Sequence, residues 1–388
     1  MIERYLNIAR EVIELSLKQG AEQVSVSLAN ATSFQLEVRN QNIEALKEAG
    51  SSGIHVTLAK NQKRSTLSSN DFRLETLEPL IRSTLEALPL MGEDPFYTLP
   101  DPKLQGKAEI DLQFRDPNFE KMASNVKINE LMLLEKEALS IDSRLQTEEI
   151  SFSDSISYMV HGDSNGFLEG CSKTLCSQGV SLFAEDGGEE TEGSSQSLNT
   201  GRKQSDGWYS SSRFRKDLEP REDLARKAGE RTLRKLGSVK PKSCEVPVVF
   251  STEMAQSFLG SLASAMMGDN VFRKHSFLKD SLGETVANPE IRLSDEPLLP
   301  GKLGSRHYDN EGVKATPLML IDQGKLLSFM CSTYSANKLD RQSTGHAGGI
   351  SNLMLKPGSY SDEELIASID NGLYLTGMSG QGVNLTTG

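Results

Sequence analysis

Between residues 23 and 60 the apolar side chains recur at every second position. Val24, Val26 and Leu28 alternate with small polar residues; Phe34, Leu36 and Val38 do so after a polar break, and Ile54, Val56 and Leu58 form a third run. A period of two puts each set on one face of an extended chain, so these runs read as half-buried antiparallel strands. Asn40-Gln41-Asn42 reads as the turn between two of them. On this pattern His55 shares the polar face with Thr57 and is solvated. A helix precedes the strands, with Leu6, Ala9, Ile13 and Leu17 at helical spacing and Gly20 as its stop. A second helix opens near Thr76, carries Leu77, Ile81, Leu85 and Leu88 as its stripe, and places Pro79 in the first turn.

Five prolines between residues 89 and 117 (Pro89, Pro95, Pro100, Pro102, Pro117) mark a linker. A helix over 118–140 and strands to about 184 follow, then an acidic Gly/Ser-rich stretch from Glu185 to Ser197 that reads as a loop. From Arg202 to Lys242 there are thirteen bases against six acids, much of this charge on a helix over 221–236. Glu222 and Asp223 in its first turn and Arg234 and Lys235 in its last suit the helix dipole, and a docking surface for an acidic partner is the other reading of the charge. In the last third, Val246–Phe250 is a strand and Ser251 caps a helix running to about Met267. Leu318–Ile321 and Leu326–Met330 form a hairpin, and Ser361 with Glu364 makes a capping box. Helices and strands do not alternate as βαβ units would. The expected class is α+β, with mixed or antiparallel sheets and flanking helices in two to three domains. The expected domains are 1–105 (α+β), 106–240 (strand-rich, with the basic helix) and 241–388 (α+β).

Charge and apolar content narrow the function. Forty-two Lys and Arg stand against 54 Asp and Glu in 388 residues, an excess of twelve negative charges that argues against nonspecific nucleic-acid binding. No apolar run approaches the ~18 residues of a membrane-spanning helix. Glu3, Arg10, Glu11 and Glu14 stand where a signal peptide would be apolar, and the four cysteines form no C-x-x-C pair. The expected location is the cytoplasm, with reduced thiols.

Neither a P-loop nor a dinucleotide fingerprint is present. Gly162-Asp163-Ser164-Asn165-Gly166 matches the nucleophile-elbow pattern G-x-S-x-G, but the residues after it read as a strand where the elbow needs a helix, so it reads as a hairpin turn. His307, Asp309 and Glu311 alternate, and on a strand they would share one face. That face would hold a metal, carry acid–base chemistry, or simply meet solvent. Ser343-Thr344-Gly345-His346-Ala347-Gly348-Gly349 reads as exposed, pliable backbone, either a plain surface loop or one that accepts a ligand or peptide strand.

Several stretches now line up. They are Val38-Arg39 with Ile43–Leu46, Asp94-Pro95-Phe96-Tyr97, Leu303-Gly304-Ser305-Arg306, Asp309-Asn310-Glu311-Gly312-Val313, Ser343-Thr344-Gly345-His346, and Gly382-Val383-Asn384-Leu385-Thr386-Thr387-Gly388. Their order and spacing resemble the TldD/PmbA family, specifically its PmbA (TldE) branch, from about residue 5 onward. The resemblance implies a cytoplasmic heterodimer in which a TldD-like subunit carries Zn²⁺ on an HExxxH helix and a PmbA-like subunit joins it to degrade small or unfolded peptides. It further implies roles in maturing a microcin-type peptide antibiotic and in removing an antitoxin, under the older name of modulator of DNA gyrase.

The family's zinc helix ends in Gly-Asp, which Gly268-Asp269 matches. Counting back puts the two His positions at Leu259 and Ser264 and the Glu at Gly260. Residues 162–274 contain no His at all, so the resemblance implies a non-catalytic subunit with no catalytic or metal-binding residue of its own. Family chains continue past the motif at Val383–Gly388, and the TldD branch's remaining Cys ligand lies at or beyond it, whereas no Cys follows Cys331 here. A shortened C-terminal domain is expected. The expected cofactor is therefore zinc in the partner and none in this chain. The expected partners are a TldD-like subunit or a second copy, and a peptide touched by Arg306, His307, Asp309, Glu311 and His346, with neither nucleic acid nor membrane involved. The rival expectations are a stand-alone regulatory homodimer and an independent metal hydrolase built on His307, Asp309 and Glu311.

Overall fold

The computed structural model describes residues 1–185, 202–240, 242–378 and 382–388. Most of the expected acidic loop, from Asp186 to Ser197, lies outside these residues. Helix α1 (Ile2–Lys18) leads into strands β1 (Gln23–Arg39), β2 (Asn42–Lys60) and β3 (Lys63–Ser69), followed by helix α2 (Leu74–Ala87). Helix α3 (Ser124–Ser140), strands β4 (Gln146–Asp163), β5 (Leu168–Glu185) and β6 (Lys203–Ser212), and helix α4 (Arg221–Arg234) come next. All six strands join one antiparallel sheet in the order β3-β2-β1-β4-β5-β6. The mixed α+β class expected from the periodicity is the class observed.

The first two apolar runs are one unbroken strand. β1 has 17 residues, a length of roughly 55 Å at ~3.3 Å per residue. Its even-numbered side chains line one face, and two cores share that face. Val24, Val26 and Leu28 pack with Ile54, Val56 and Leu58 beneath α1 and α2, where Ala9, Val12, Leu77 and Ile81 are fully buried. Phe34, Leu36 and Val38 pack with Ile150, Phe152, Val180 and Leu182 beneath α3 and α4. The polar break at Asn30–Ser33 falls between the two cores, and none of its residues is buried. The bases of α4 pair locally: Arg221 with Glu137, Arg226 with Asp223 and Glu230, Lys227 with Glu219, and Arg231 with Asp206 and Glu253. Pro79 sits inside α2 rather than in its first turn, because the helix begins at Leu74.

Turns set the registers. Asn40 and Gln41, with φ of 52° and 56°, close the β1–β2 hairpin. Residues 163–166 close the β4–β5 hairpin, with Asn165 N donating to Asp163 Oδ1, so the G-x-S-x-G match is a turn.

The C-terminal part contains β7 (Val248–Phe250), α5 (Thr252–Ala265), α6 (Gly268–Phe272), β8 (Leu293–Asp295), β9 (Leu318–Asp322), β10 (Lys325–Leu326), α7 (Thr333–Lys338), β11 (Leu353–Leu355), α8 (Asp362–Ala367) and β12 (Leu373–Leu375). An antiparallel sheet of order β10-β9-β8-β11 packs on α5 and α6 through Leu293, Leu320, Ile321, Met266 and Val271. The expected second hairpin strand is cut to Lys325–Leu326, and β7 pairs with β12 in parallel. The caps at Ser251 and Ser361 form as their side chains dictate.

The proline-rich stretch is a fitted strap between the large sheet and the C-terminal part. Gly106 N donates to Gly312 O, Ala108 N to His307 O, Gly301 N to Leu112 O, and Thr174 N to Phe114 O. Leu99, Ala108 and Leu112 are buried along it. The boundary expected near residue 105 falls in this strap, while the pairing of β1 with β4 carries the sheet continuously past it.

Candidate functional site

The alternation that turns Val24, Val26 and Leu28 toward the helices turns Ser27 and Ala29 the other way. On that opposite face Ser27 stands directly between His55 of β2 and His161 of β4. Cys171 and Lys173 of β5 join them, opposite Met159 and Ser157. The segment Gly304–Asn310, held down by the strap, closes over this face. Together they enclose a cavity of about 440 Å³ lined by Ser27, His55, Phe114, His161, Lys173 and Arg306 among others, within the ~300–1,000 Å³ range of small-ligand sites.

Its charged lining is two cations, Lys173 and Arg306, and one carboxylate, Asp309. The Lys173 ammonium donates to Ser305 O at 3.1 Å and lies 4.5 Å from the Phe114 ring centroid. The Arg306 guanidinium donates to Gly349 O at 2.6 Å and Gly345 O at 3.4 Å. Behind Lys173, Arg213 donates to Thr174 O at 3.1 Å and Leu303 O at 2.5 Å. Burial pushes the pKa of all three below the ordinary value, and for Lys173 the neighbouring Arg213 and Arg306 add to the fall. His307 packs edge-on against Phe114, with centroids 5.2 Å apart, and burial lowers its pKa, with Lys107 adding to the effect. His161 shares a hydrogen bond of 3.0 Å with Ser27 Oγ. Burial pulls its pKa from 6.5 down to about 4, which makes it a weak base, so the Ser27–His161 pair does not suit nucleophilic catalysis near neutral pH.

The expected peptide contacts separate into two groups. Arg306, His307 and Asp309 line the cavity; Glu311 and His346 do not. Residues 307–311 form no strand, and His307, Asp309 and Glu311 share no face. The reason is the Asp309 carboxylate, whose Oδ1 accepts from Glu311 N and Val313 N and folds the chain into a tight turn. Its Oδ2 accepts from Ala347 N. Glu311 turns away to accept from Thr333 N through Oε2 at 2.8 Å. Burial raises the pKa of both carboxyls. Nor is the centre of the glycine-rich loop exposed: Gly345, His346 and Ala347 are buried, and His346, with 2% of its surface accessible, lies between Thr344 and Asp295. Among the described residues no three His, Cys, Asp or Glu are placed to hold a metal ion. His161, Lys173 and the cavity role of His55 were not read from the sequence. The period-two pattern assigns them to a polar face, and only the C-terminal cover buries part of that face, leaving His55 exposed at its edge.

The helix that would carry zinc is α5. Leu259 packs on the C-terminal core, nothing lies within 4 Å of a Cβ built on Gly260, and Ser264 Oγ donates to Gly260 O at 2.8 Å. The helix's carboxylate, Glu253, is engaged by Arg231 at 2.8 Å. These residues do not fit a zinc ion. A larger open groove, about 800 Å³, runs between α1 and residues 70–74, and its Asp71 and Arg73 pair with each other.

A long antiparallel sheet with helices on one face and a cavity on the other defines an α+β fold, and no metal-holding cluster is found among the described residues. Known proteins share this fold. Residues 117–236 match the PmbA/TldA metallopeptidase central domain and residues 243–388 its C-terminal domain. A protein of Buchnera aphidicola named metalloprotease PmbA homolog is 30% identical, over 99% of this chain and 82% of that protein. Metalloprotease PmbA of Escherichia coli O157:H7 is 28% identical, over 100% of this chain and 84% of that one. The crystal structure of a Bacteroides thetaiotaomicron protein named as a modulator of DNA gyrase superposes with a TM-score of 0.89 at 28% identity, covering 98% of this chain and 84% of that one. TldE of Thermococcus kodakarensis shares the fold, with a TM-score of 0.80 at 20% identity, over 96% of this chain and 83% of that one. This chain belongs to the PmbA/TldD metallopeptidase family, on its PmbA/TldE side. Among the described residues no helix is long and apolar enough to cross a membrane.

Proposed function

We propose that this chain is the non-catalytic, PmbA/TldE-type subunit of a cytosolic zinc metallopeptidase, and that a TldD-like partner supplies the Zn²⁺ while this chain contributes peptide-binding surface. The observation that carries the reading is α5, where Leu259, Gly260 and Ser264 occupy the positions a zinc helix needs for two His and a Glu. The division of the expected contacts supports it. Arg306, His307 and Asp309 face a cavity, whereas Glu311 and His346 hold the loops around it.

An exposed apolar patch supports a partner. Phe250 and Phe258 stack edge-on at 5.0 Å while remaining 43% and 39% exposed, and Leu373 and Tyr374 beside them are also exposed. Such a patch marks an interaction surface. Co-expression with a TldD-like chain followed by mass measurement of the purified species tests the reading. A stable 1:1 complex is expected, and a homodimer that ignores the TldD-like chain overturns it in favour of a stand-alone regulatory protein.

A further inference from the structure

The cavity over the sheet has a charge imbalance that the subunit role leaves unexplained. Arg213 and Arg306 lie close enough to Lys173 to depress its ionisation, and all the hydrogen-bond partners of the three side chains among the described residues are main-chain carbonyls. Asp295 and Asp309 act as counter-charges for Arg306, but no carboxylate pairs with Lys173 or Arg213 among the described residues; withdrawing such cations from water is costly, and carbonyl dipoles offset it only in part. Asp309 is the carboxylate in the wall, and three main-chain N–H groups already take up both its oxygens. Two buried nitrogens on the lining, Arg306 Nε and His307 Nδ1, have no partner. Buried polar atoms without partners are rare, and they mark places where a ligand or water belongs.

The rest of the lining says what kind of anion fits. Leu28, Phe114, Met159 and Val160 make much of the wall apolar. The 440 Å³ volume equals the share of ~15 water molecules at ~30 Å³ apiece, well beyond a bare inorganic anion. A single negative charge on an apolar body matches both features, and a free peptide C-terminus has that chemistry. We propose that this cavity recognises the C-terminal residue of a peptide, its carboxylate held between Lys173 and Arg306 and its side chain against Phe114 and Met159.

The proposal deepens the peptide-handling role above and rests on it only for the ligand being a peptide. Its test is binding of an N-terminally fluorescein-labelled tetrapeptide ending in Phe to the full chain, measured by anisotropy as the free acid and as the C-terminal amide. Inorganic phosphate is titrated separately by calorimetry. The acid is expected to bind at least tenfold more tightly than the amide, and Lys173→Met should bring the acid down to the amide's affinity. Equal binding of acid and amide overturns carboxylate recognition while leaving peptide binding intact. Phosphate binding with no binding of either peptide overturns the peptide assignment, and a preference that survives Lys173→Met moves it out of this cavity. The acid–amide comparison uses the unmodified chain, so it stands even where a variant fails to fold. Failure of the subunit reading shows in the co-expression mass instead.

Discussion

His346 Nε2 lies 3.1 Å from Asp295 Oδ2, in a contact that leaves the two side chains 1% and 0% exposed. The other ring nitrogen, Nδ1, lies 2.8 Å from Thr344 O, so both nitrogens face oxygen acceptors. Ser351 N and Oγ also donate to Asp295. This clasp fixes the loop whose Gly345 and Gly349 carbonyls hold Arg306 at the cavity. The buried His346 and the Arg306 side chain at the cavity are thus linked by one chain of bonds.

His346→Ala leaves Asp295 buried without its partner, and breaking a buried pair costs about 3–5 kcal/mol. Urea unfolding at pH 7 is expected to show that loss. Burial acts to raise the Asp295 pKa, but the bonds from His346 and Ser351 prevail and hold it below the ordinary value. Its stabilising contribution is therefore present above the ordinary carboxylate range and lost as pH falls through the lowered folded value. Asp295→Asn should flatten that acid limb.

His161 acts in the same direction in acid, over a higher pH window. Its folded pKa of about 4 lies below the unfolded 6.5, so the unfolded chain binds the proton more readily between these values. Stability rises with pH across that window and falls on acidification. The difference corresponds to up to about 3 kcal/mol. Melting curves from pH 7 to pH 4 should show a loss in the native chain that His161→Gln largely removes. An unchanged pH profile in the variant would mean that His161 is not buried as a neutral ring.

The β1–β2 turn depends on Glu135 of α3. Its carboxylate accepts from Asn40 N and Gln41 N at 2.7 Å each and from Gln41 Nε2 at 2.7 Å, and it is fully buried. Glu135→Ala leaves main-chain donors without partners, at about 1–3 kcal/mol apiece. A loss of about 2–4 kcal/mol on the same principle is expected in urea unfolding, with faster amide exchange at Asn40 and Gln41.

Gly312 joins the Asp309 turn to the β4–β5 hairpin. Its φ is +80°, and a Cβ there would lie 2.6 Å from the Phe167 ring. Phe167 in turn packs against His161 and Tyr308. Gly312→Ala combines left-handed backbone strain with overpacking, about 2–4 kcal/mol together. Thermal melting is expected to show that loss, and unchanged stability would contradict the packing described.

Much of the fold was legible because local rules set it. The alternation at Val24–Val38 and Ile54–Leu58, the Ser251 and Ser361 caps and the turn at Asn40-Gln41 all follow from side-chain chemistry near in sequence. The site was less legible because it depends on register. A bulge between Glu37 and Val38 shifts the β1–β2 pairing by one residue, and that shift sets His55 opposite Ser27. No local pattern announces it. The alternation of His307, Asp309 and Glu311 suggested a strand, but the Asp309 carboxylate captured the nearby N–H groups and made a turn. The glycines around His346 suggested exposure, and the burial comes from Asp295, 51 residues away.

The central claim is that this chain has no peptidase centre of its own and works beside one. A peptidase assay on the purified chain with added Zn²⁺, run with and without a TldD-like subunit and accompanied by zinc analysis, tests it most directly. The account predicts substoichiometric zinc and no turnover by the chain alone, with activity when the TldD-like subunit is present. Zinc-dependent turnover by the chain alone would contradict it.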